Sequence, residues 1–160
     1  MKRLTILLAA LSLAACGGSG IHNERENTVK VAAEDPAMKA AYDQAKRTFS
    51  TYLARAAAPA PGTDKYMVKV RIQDKYGVEH MWVKDVRRSS GGFVGVIDNE
   101  PITIHSVKLG DSYPFTPENV SDWMYMKDGK IHGGYTIRAL LPKLPPAKAK
   151  AVGEMLAPLD

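Results

Sequence analysis

A chain of 160 residues, 45% hydrophobic and 24% charged, with 13 Gly and 10 Pro, sits near the averages for an ordinary globular domain, which excludes disordered, collagen-like and multi-span membrane polypeptides. The formal charge is +5, but apart from Lys46-Arg47 and Arg87-Arg88 the basic residues are scattered, and nothing points to nucleic acid. A mild basic excess suits solubility and an anionic envelope surface equally.

The start of the chain carries the most specific signal. Lys2-Arg3 is a short basic start, Leu4 to Leu13 is mostly apolar, and Ala14-Ala15 supplies small residues, so residues 1–15 read as a secretory leader. The run is too short for a mature membrane helix, which needs about 20 apolar residues. Leu13-Ala14-Ala15-Cys16 resembles the lipobox of bacterial lipoproteins. That resemblance implies a diacylglyceryl thioether on Cys16, cleavage before it and acylation of the new amine. Two or more acyl chains anchor stably, because each buried methylene contributes about 0.8 kcal/mol. Gly17, where an Asp signals retention at the inner membrane, implies the periplasmic face of the outer membrane. The alternative is a freely secreted protein with a stray cysteine.

Cys16 is the sole cysteine, so acylation leaves no thiol for a disulfide, a thiolate nucleophile or a cysteine metal site. Cleavage leaves 145 residues and, without Lys2 and Arg3, 20 basic against 17 acidic side chains, a net charge of +3. A domain of that size buries roughly 68% of its unfolded surface. Residues 16–34 open with Gly17-Gly18-Ser19-Gly20 and read as a flexible tether. About 20 residues of such coil span roughly 25 Å.

Asp35-Pro36 starts a helix over residues 35–58, with Met38, Tyr42, Ala45, Phe49, Tyr52 or Leu53 and Ala56 on one stripe and Pro59-Ala60-Pro61-Gly62 as its stop. The stripe packs on the domain's own sheet or on a partner. From Tyr66 the period changes to two: Tyr66, Val68, Val70 and Ile72 alternate with Met67, Lys69, Arg71 and Gln73, a strand with one face toward the core. Asp74 to Gly77 turns into a second strand over 79–86, Phe93 to Ile97 makes a third, and Ile102 to Leu109 a weaker strand or extended segment. Thr116-Pro117 caps one helical turn. Residues 122–127 and 130–132 flank Asp128-Gly129, a type I′ hairpin signal. A short helix over 135–141 and a last helix opened by Pro145-Pro146 follow. The fold class is α+β: an N-terminal amphipathic helix, a mostly antiparallel sheet of about 4–6 strands and short C-terminal helices.

The strings Glu79-His80-Met81-Trp82-Val83, Gly95-Val96-Ile97-Asp98-Asn99-Glu100-Pro101, Leu109-Gly110-Asp111, Ser121-Asp122-Trp123-Met124-Tyr125 and Gly133-Gly134-Tyr135-Thr136-Ile137-Arg138 resemble the YegJ-like bacterial domain of unknown function. The resemblance runs over roughly 65–141, leaves the N-terminal helix outside and places the domain at 65–158. It brings no activity with it.

Strand alternation puts Glu79, Met81 and Val83 on one face and His80, Trp82 and Lys84 on the other, with Trp123 and Tyr125 opposite Asp122, Met124 and Met126. Large apolar groups on both sides mean either a two-sided core or an exposed aromatic platform. The candidate binding surface is His80, Trp82, Trp123, Tyr125, Tyr135, Thr136 and Arg138. Gly133-Gly134 frees backbone N–H groups for an anion beside Thr136 and Arg138, or is a bend in which Arg138 pairs with a partly buried Asp122 or Glu79. His80, His105 and His132 lie on separate segments without a zinc pattern, no G-x-S-x-G elbow is present, and no cofactor is expected. The expected function is a lipid-anchored, periplasm-facing binding module for an envelope protein or glycan. The competing one is a small envelope hydrolase of glycan or lipid using Glu79 or Asp122 with His80 and Arg138.

Overall fold

The computed structural model describes residues 3–7, 28–32 and 35–159; Cys16 and most of the expected leader and tether lie outside the described residues. Strands β1 (Arg3–Leu7) and β2 (Thr28–Ala32) pair antiparallel. β2 falls inside the stretch expected to lack regular structure, where Thr28, Val29 and Val31 supply the β-branched run that favours a strand.

Helix α1 (Pro36–Ala57) starts where the sequence places it. The Asp35 carboxylate accepts from the N–H groups of Ala37 at 3.0 Å and Met38 at 3.1 Å, which satisfies donors that the first turn otherwise leaves unpaired. Met38, Ala41, Ala45, Phe49 and Tyr52 form its buried stripe.

Six strands follow: β3 (Thr63–Asp74), β4 (Gly77–Ser89), β5 (Gly92–Ile97), β6 (Ser112–Phe115), β7 (Val120–Lys127) and β8 (Lys130–Gly133). They make one antiparallel sheet in the order β6-β5-β4-β3-β7-β8. β4 is long enough to take β5 along its second half and β1, in parallel, at Glu79 and His80. Asp128 and Gly129 both have positive φ, 50° and 76°, as a type I′ turn requires. Residues 102–109, expected as a weaker strand or an extended segment, form no strand, and β6 is the strand beside β5. Helices α2 (Tyr135–Leu140) and α3 (Pro146–Met155) complete an α+β fold.

Val68, Val70, Ile72, Met81, Val83, Trp123 and Tyr125 cover one face of the sheet and pack with Phe49 and Tyr52 of α1. On the other, Trp82 and Met124 pack with Ile131 and Ile137 and with Val152, Met155 and Leu156 from the C-terminal segment. A sheet buried on both sides explains the doubly apolar strands, and it leaves no aromatic face open.

Gly133 joins β8 to α2 at φ +75°, and a Cβ there would lie 2.3 Å from the Trp123 carbonyl oxygen and 2.6 Å from its ring. Gly129, at φ +76°, faces open space. Gly133→Ala is therefore expected to cost roughly 3 kcal/mol in urea unfolding, combining left-handed strain with overpacking, against about 1 kcal/mol for Gly129→Ala. Equal losses at the two positions contradict this account.

Candidate functional site

Register pairs Trp82 with Lys69 and Lys69 with Asp122, so three adjacent strands carry these side chains in one lateral row. The strand pattern assigns Lys69 to a solvent-facing alternation, yet it is fully buried, as are Asp122 and Thr136. The correction has a physical cause: α2 closes over this face and brings Thr136 to the row. Lys69 Nζ lies 4.5 Å from the Trp82 ring centroid, a cation over an aromatic face. It donates to Thr136 Oγ1 at 3.2 Å, and Thr136 Oγ1 donates to Asp122 Oδ2 at 2.5 Å.

Asp122 also accepts from the backbone N–H groups of Trp123 at 2.8 Å, Tyr135 at 3.0 Å and Thr136 at 2.8 Å. The Gly133-Gly134 bend does free N–H groups for an anion, and the anion is the protein's own carboxylate. Burial raises the Asp122 pKa against the attraction of Lys69 and these donors, and lowers that of Lys69 to about 8 against the attraction of Asp122. Four donors aimed at one carboxylate favour its ionised form against that burial.

Arg138 does not pair with either expected acid. Its Nε donates to the Gly133 carbonyl at 3.0 Å and a terminal nitrogen to the Ala157 carbonyl at 2.6 Å, tying the end of the chain to α2. Glu79 accepts from the N–H groups of Ile102, Thr103 and Ile104, the shortest contact being 2.8 Å. Asp74 does the same for His105 at 2.6 Å and Ser106 at 3.1 Å. Donors that a strand at 102–109 would spend on a neighbour are spent on these two carboxylates instead, which is why the expected strand is a clamped loop.

The aromatic platform is likewise overturned. Trp82 is 1% exposed, Trp123 5% and Tyr125 2%, and Trp82 lies on the opposite face from the other two. Trp123 Nε1 donates to Thr48 Oγ1 of α1 at 3.0 Å, and the Tyr135 hydroxyl lies 3.1 Å from that oxygen. The three histidines among the described residues each meet a different tyrosine ring: His80 stacks on Tyr42 and His132 on Tyr125, and His105 lies tilted against Tyr76.

An open site exists elsewhere. A cavity of about 710 Å³ lies between α1, the β3–β4 hairpin end and residues 118–121, with Tyr42, Lys46, Arg71, Gln73, His80 and Glu118 in its lining. Of the residues expected to serve an envelope hydrolase, His80 alone lines it; Glu79, Asp122 and Arg138 do not, so that set does not converge. His80 is 3% exposed and its ring stacks on Tyr42 with centroids 5.0 Å apart. His80 Nδ1, Tyr42 Oη and Trp82 Nε1 are buried without a hydrogen-bond partner among the described residues. Sequence reasoning assigned Tyr42 to the helix stripe and Arg71 to a strand alternation. His80 was a candidate from its strand face, and Lys46 carried a weaker signal as half of a basic pair.

Burial, with the positive charges of Lys69, Arg71 and Lys46, pushes the His80 imidazole down to about 3. Between that value and the unfolded value near 6.5 the unfolded chain binds more protons, so this contribution is complete above pH 6.5 and is lost as pH falls. His80→Phe keeps an aromatic ring on Tyr42 without a titrating group. Its stability loss between pH 7 and pH 5 in urea titrations is expected to be smaller than that of the wild type by about 2 kcal/mol; equal slopes refute the assignment. Asp122→Ala leaves Lys69 buried without its counter-charge and is expected to cost roughly 3–5 kcal/mol by the same measurement.

The comparisons with known proteins place the chain in a family. A family model described as an uncharacterized protein conserved in bacteria, DUF2314, matches residues 35–155, a span that takes in α1, which the sequence resemblance had left outside. The chain is 32% identical over 149 residues to the uncharacterized protein YegJ of Escherichia coli strain K12, covering 93% of this chain and 94% of that one. It is 36% identical over 81 residues to a Neisseria meningitidis serogroup B protein named for ankyrin repeats, covering 48% of this chain and 32% of that one. No solved structure matches. Helix, sheet and clamped loop together thus fall within one matched span, and the chain belongs to the DUF2314 family of bacterial proteins.

Proposed function

We propose that the protein is a lipid-anchored, periplasm-facing binding domain whose ligand occupies the cleft above the Tyr42–His80 stack. The observation that carries the binding reading is the cleft itself. Its volume of about 710 Å³ falls in the range of small-molecule sites, and it combines an aromatic floor with a few polar side chains. The Leu-Ala-Ala-Cys string at residues 13–16 supports the anchor. On this reading the mature chain starts at Cys16, β1 leaves with the leader, and the β4 edge at Glu79 and His80 is free of that strand.

Two measurements test it. Palmitate labelling of cells is expected to mark the protein and to fail with Cys16→Ala; an unlabelled wild type removes the anchor. Native mass spectrometry of the full-length protein from gently solubilised envelopes is expected to show a small-molecule adduct, lost when Gln73→Trp fills the cleft. No adduct, or one that persists in this variant, removes the site.

A further inference from the structure

The cleft is more selective than its size suggests. Lys46 and Arg71 both line it. Neither makes an ion pair with an acid among the described residues, and Arg71 donates from a guanidinium nitrogen to Gln73 Oε1 at 2.8 Å instead. The acids nearby are occupied. Asp74 is the acceptor for Tyr76, Gly77, His105 and Ser106 N–H groups. Glu118 has its carboxyl held below the ordinary range by the Thr116 hydroxyl, its own N–H and the charge of Lys46. Beneath the cations sits His80, almost wholly buried, with a ring nitrogen that no described residue satisfies, and beside it the unpartnered Tyr42 hydroxyl.

We propose that the cleft binds a phosphate group, held between Lys46 and Arg71 above the Tyr42–His80 floor. This deepens the binding reading given above and depends on it. A planar guanidinium matches phosphate oxygens bidentately and a lysine adds a mobile point charge. The same two side chains, with Lys69, are the charges that depress His80, so the positive field they make converges on the cleft floor, and an anion seated there relieves it. Tyr42 Oη and His80 Nδ1 are buried without a partner among the described residues, so a shift of either side chain toward the anion adds a hydrogen bond and removes an unsatisfied polar atom. The phosphate has two possible sources, a soluble phosphate or an anionic lipid headgroup.

Titration calorimetry on the full chain with inorganic phosphate and with dihexanoyl phosphatidylglycerol separates them. Binding of inorganic phosphate at least as tight as of the lipid assigns a soluble ligand, and tighter binding of the lipid assigns a headgroup. In either case Lys46→Gln with Arg71→Gln is expected to weaken binding at least tenfold. The pair Lys148→Gln with Lys150→Gln, outside the cleft lining, leaves it unchanged, and Lys46→Arg with Arg71→Lys restores most of it, which guards against simple misfolding. Binding of neither probe, or an affinity unchanged in the Gln pair, overturns the proposal. If the envelope adduct persists in the Gln pair and is lost only in Gln73→Trp, the cleft reading stands and the phosphate reading falls.

Discussion

The buried pair of Lys69 and Asp122, bridged by the Thr136 hydroxyl, is the contact on which the rest of the molecule depends. Two charges removed from water are tolerable only when each finds its counter-charge and every remaining lone pair finds a donor. Here Lys69 comes from β3, its aromatic cover Trp82 from β4, Asp122 from β7 and Thr136 from α2. The row can be satisfied only if the three strands keep their register and α2 lies across them. A one-residue slip turns every member to the other face. The Gly133-Gly134 bend follows from the same demand, since α2 must present its first N–H groups to a carboxylate one strand away.

The same chemistry recurs at lower stakes. Glu79 and Asp74 use their oxygens to collect the N–H groups of an irregular loop, as Asp122 collects those of a helix start. These three acids act as backbone clamps, which accounts for why an acid-base pair sought among them does not assemble. The cleft lining holds cations, an imidazole and a phenol, with Glu118 beside Lys46. They meet in the cleft because the β3–β4 hairpin runs past the start of β7: Val70 pairs with Val120, and beyond it Arg71 and Gln73 have no β7 partner in that register, so the cleft opens there.

On the proposed reading, tethering at Cys16 and the cation-lined cleft are two separate sources of selectivity: an anchor raises the effective concentration of ligands at the same surface, and the cleft chooses among them by charge and shape. The long irregular loop, clamped by carboxylates rather than by strand pairing, leaves the hairpin end exposed beside it, with Tyr76 among the few large exposed apolar side chains.

Local structure was legible from the sequence because its causes are local. Asp35-Pro36 caps a helix by chemistry contained in four residues, Asp128-Gly129 turns a hairpin by its own φ preferences, and the period-two run from Tyr66 is a strand wherever it lies. Strand alternation also separated Glu79 from His80 and Trp82 from Trp123 before any packing was known. What alternation leaves undetermined is whether a face is covered. A lysine at position 69 reads as solvent-facing until α2 closes over it, and tryptophans read as a platform until helices lie on both sides. Arg71 and His80 are paired across the β3–β4 hairpin, but that Lys46 of α1 joins them around one cleft depends on how the helix packs on the sheet, which no local pattern states. The sequence by itself determined most of the elements with their caps and turns, through interactions within a few residues, and missed β2, β6 and the clamped loop. Tertiary structure alone decided which charges are buried, which carboxylates are spent on the backbone and which cations remain to meet a ligand, because burial and convergence are properties of packed elements.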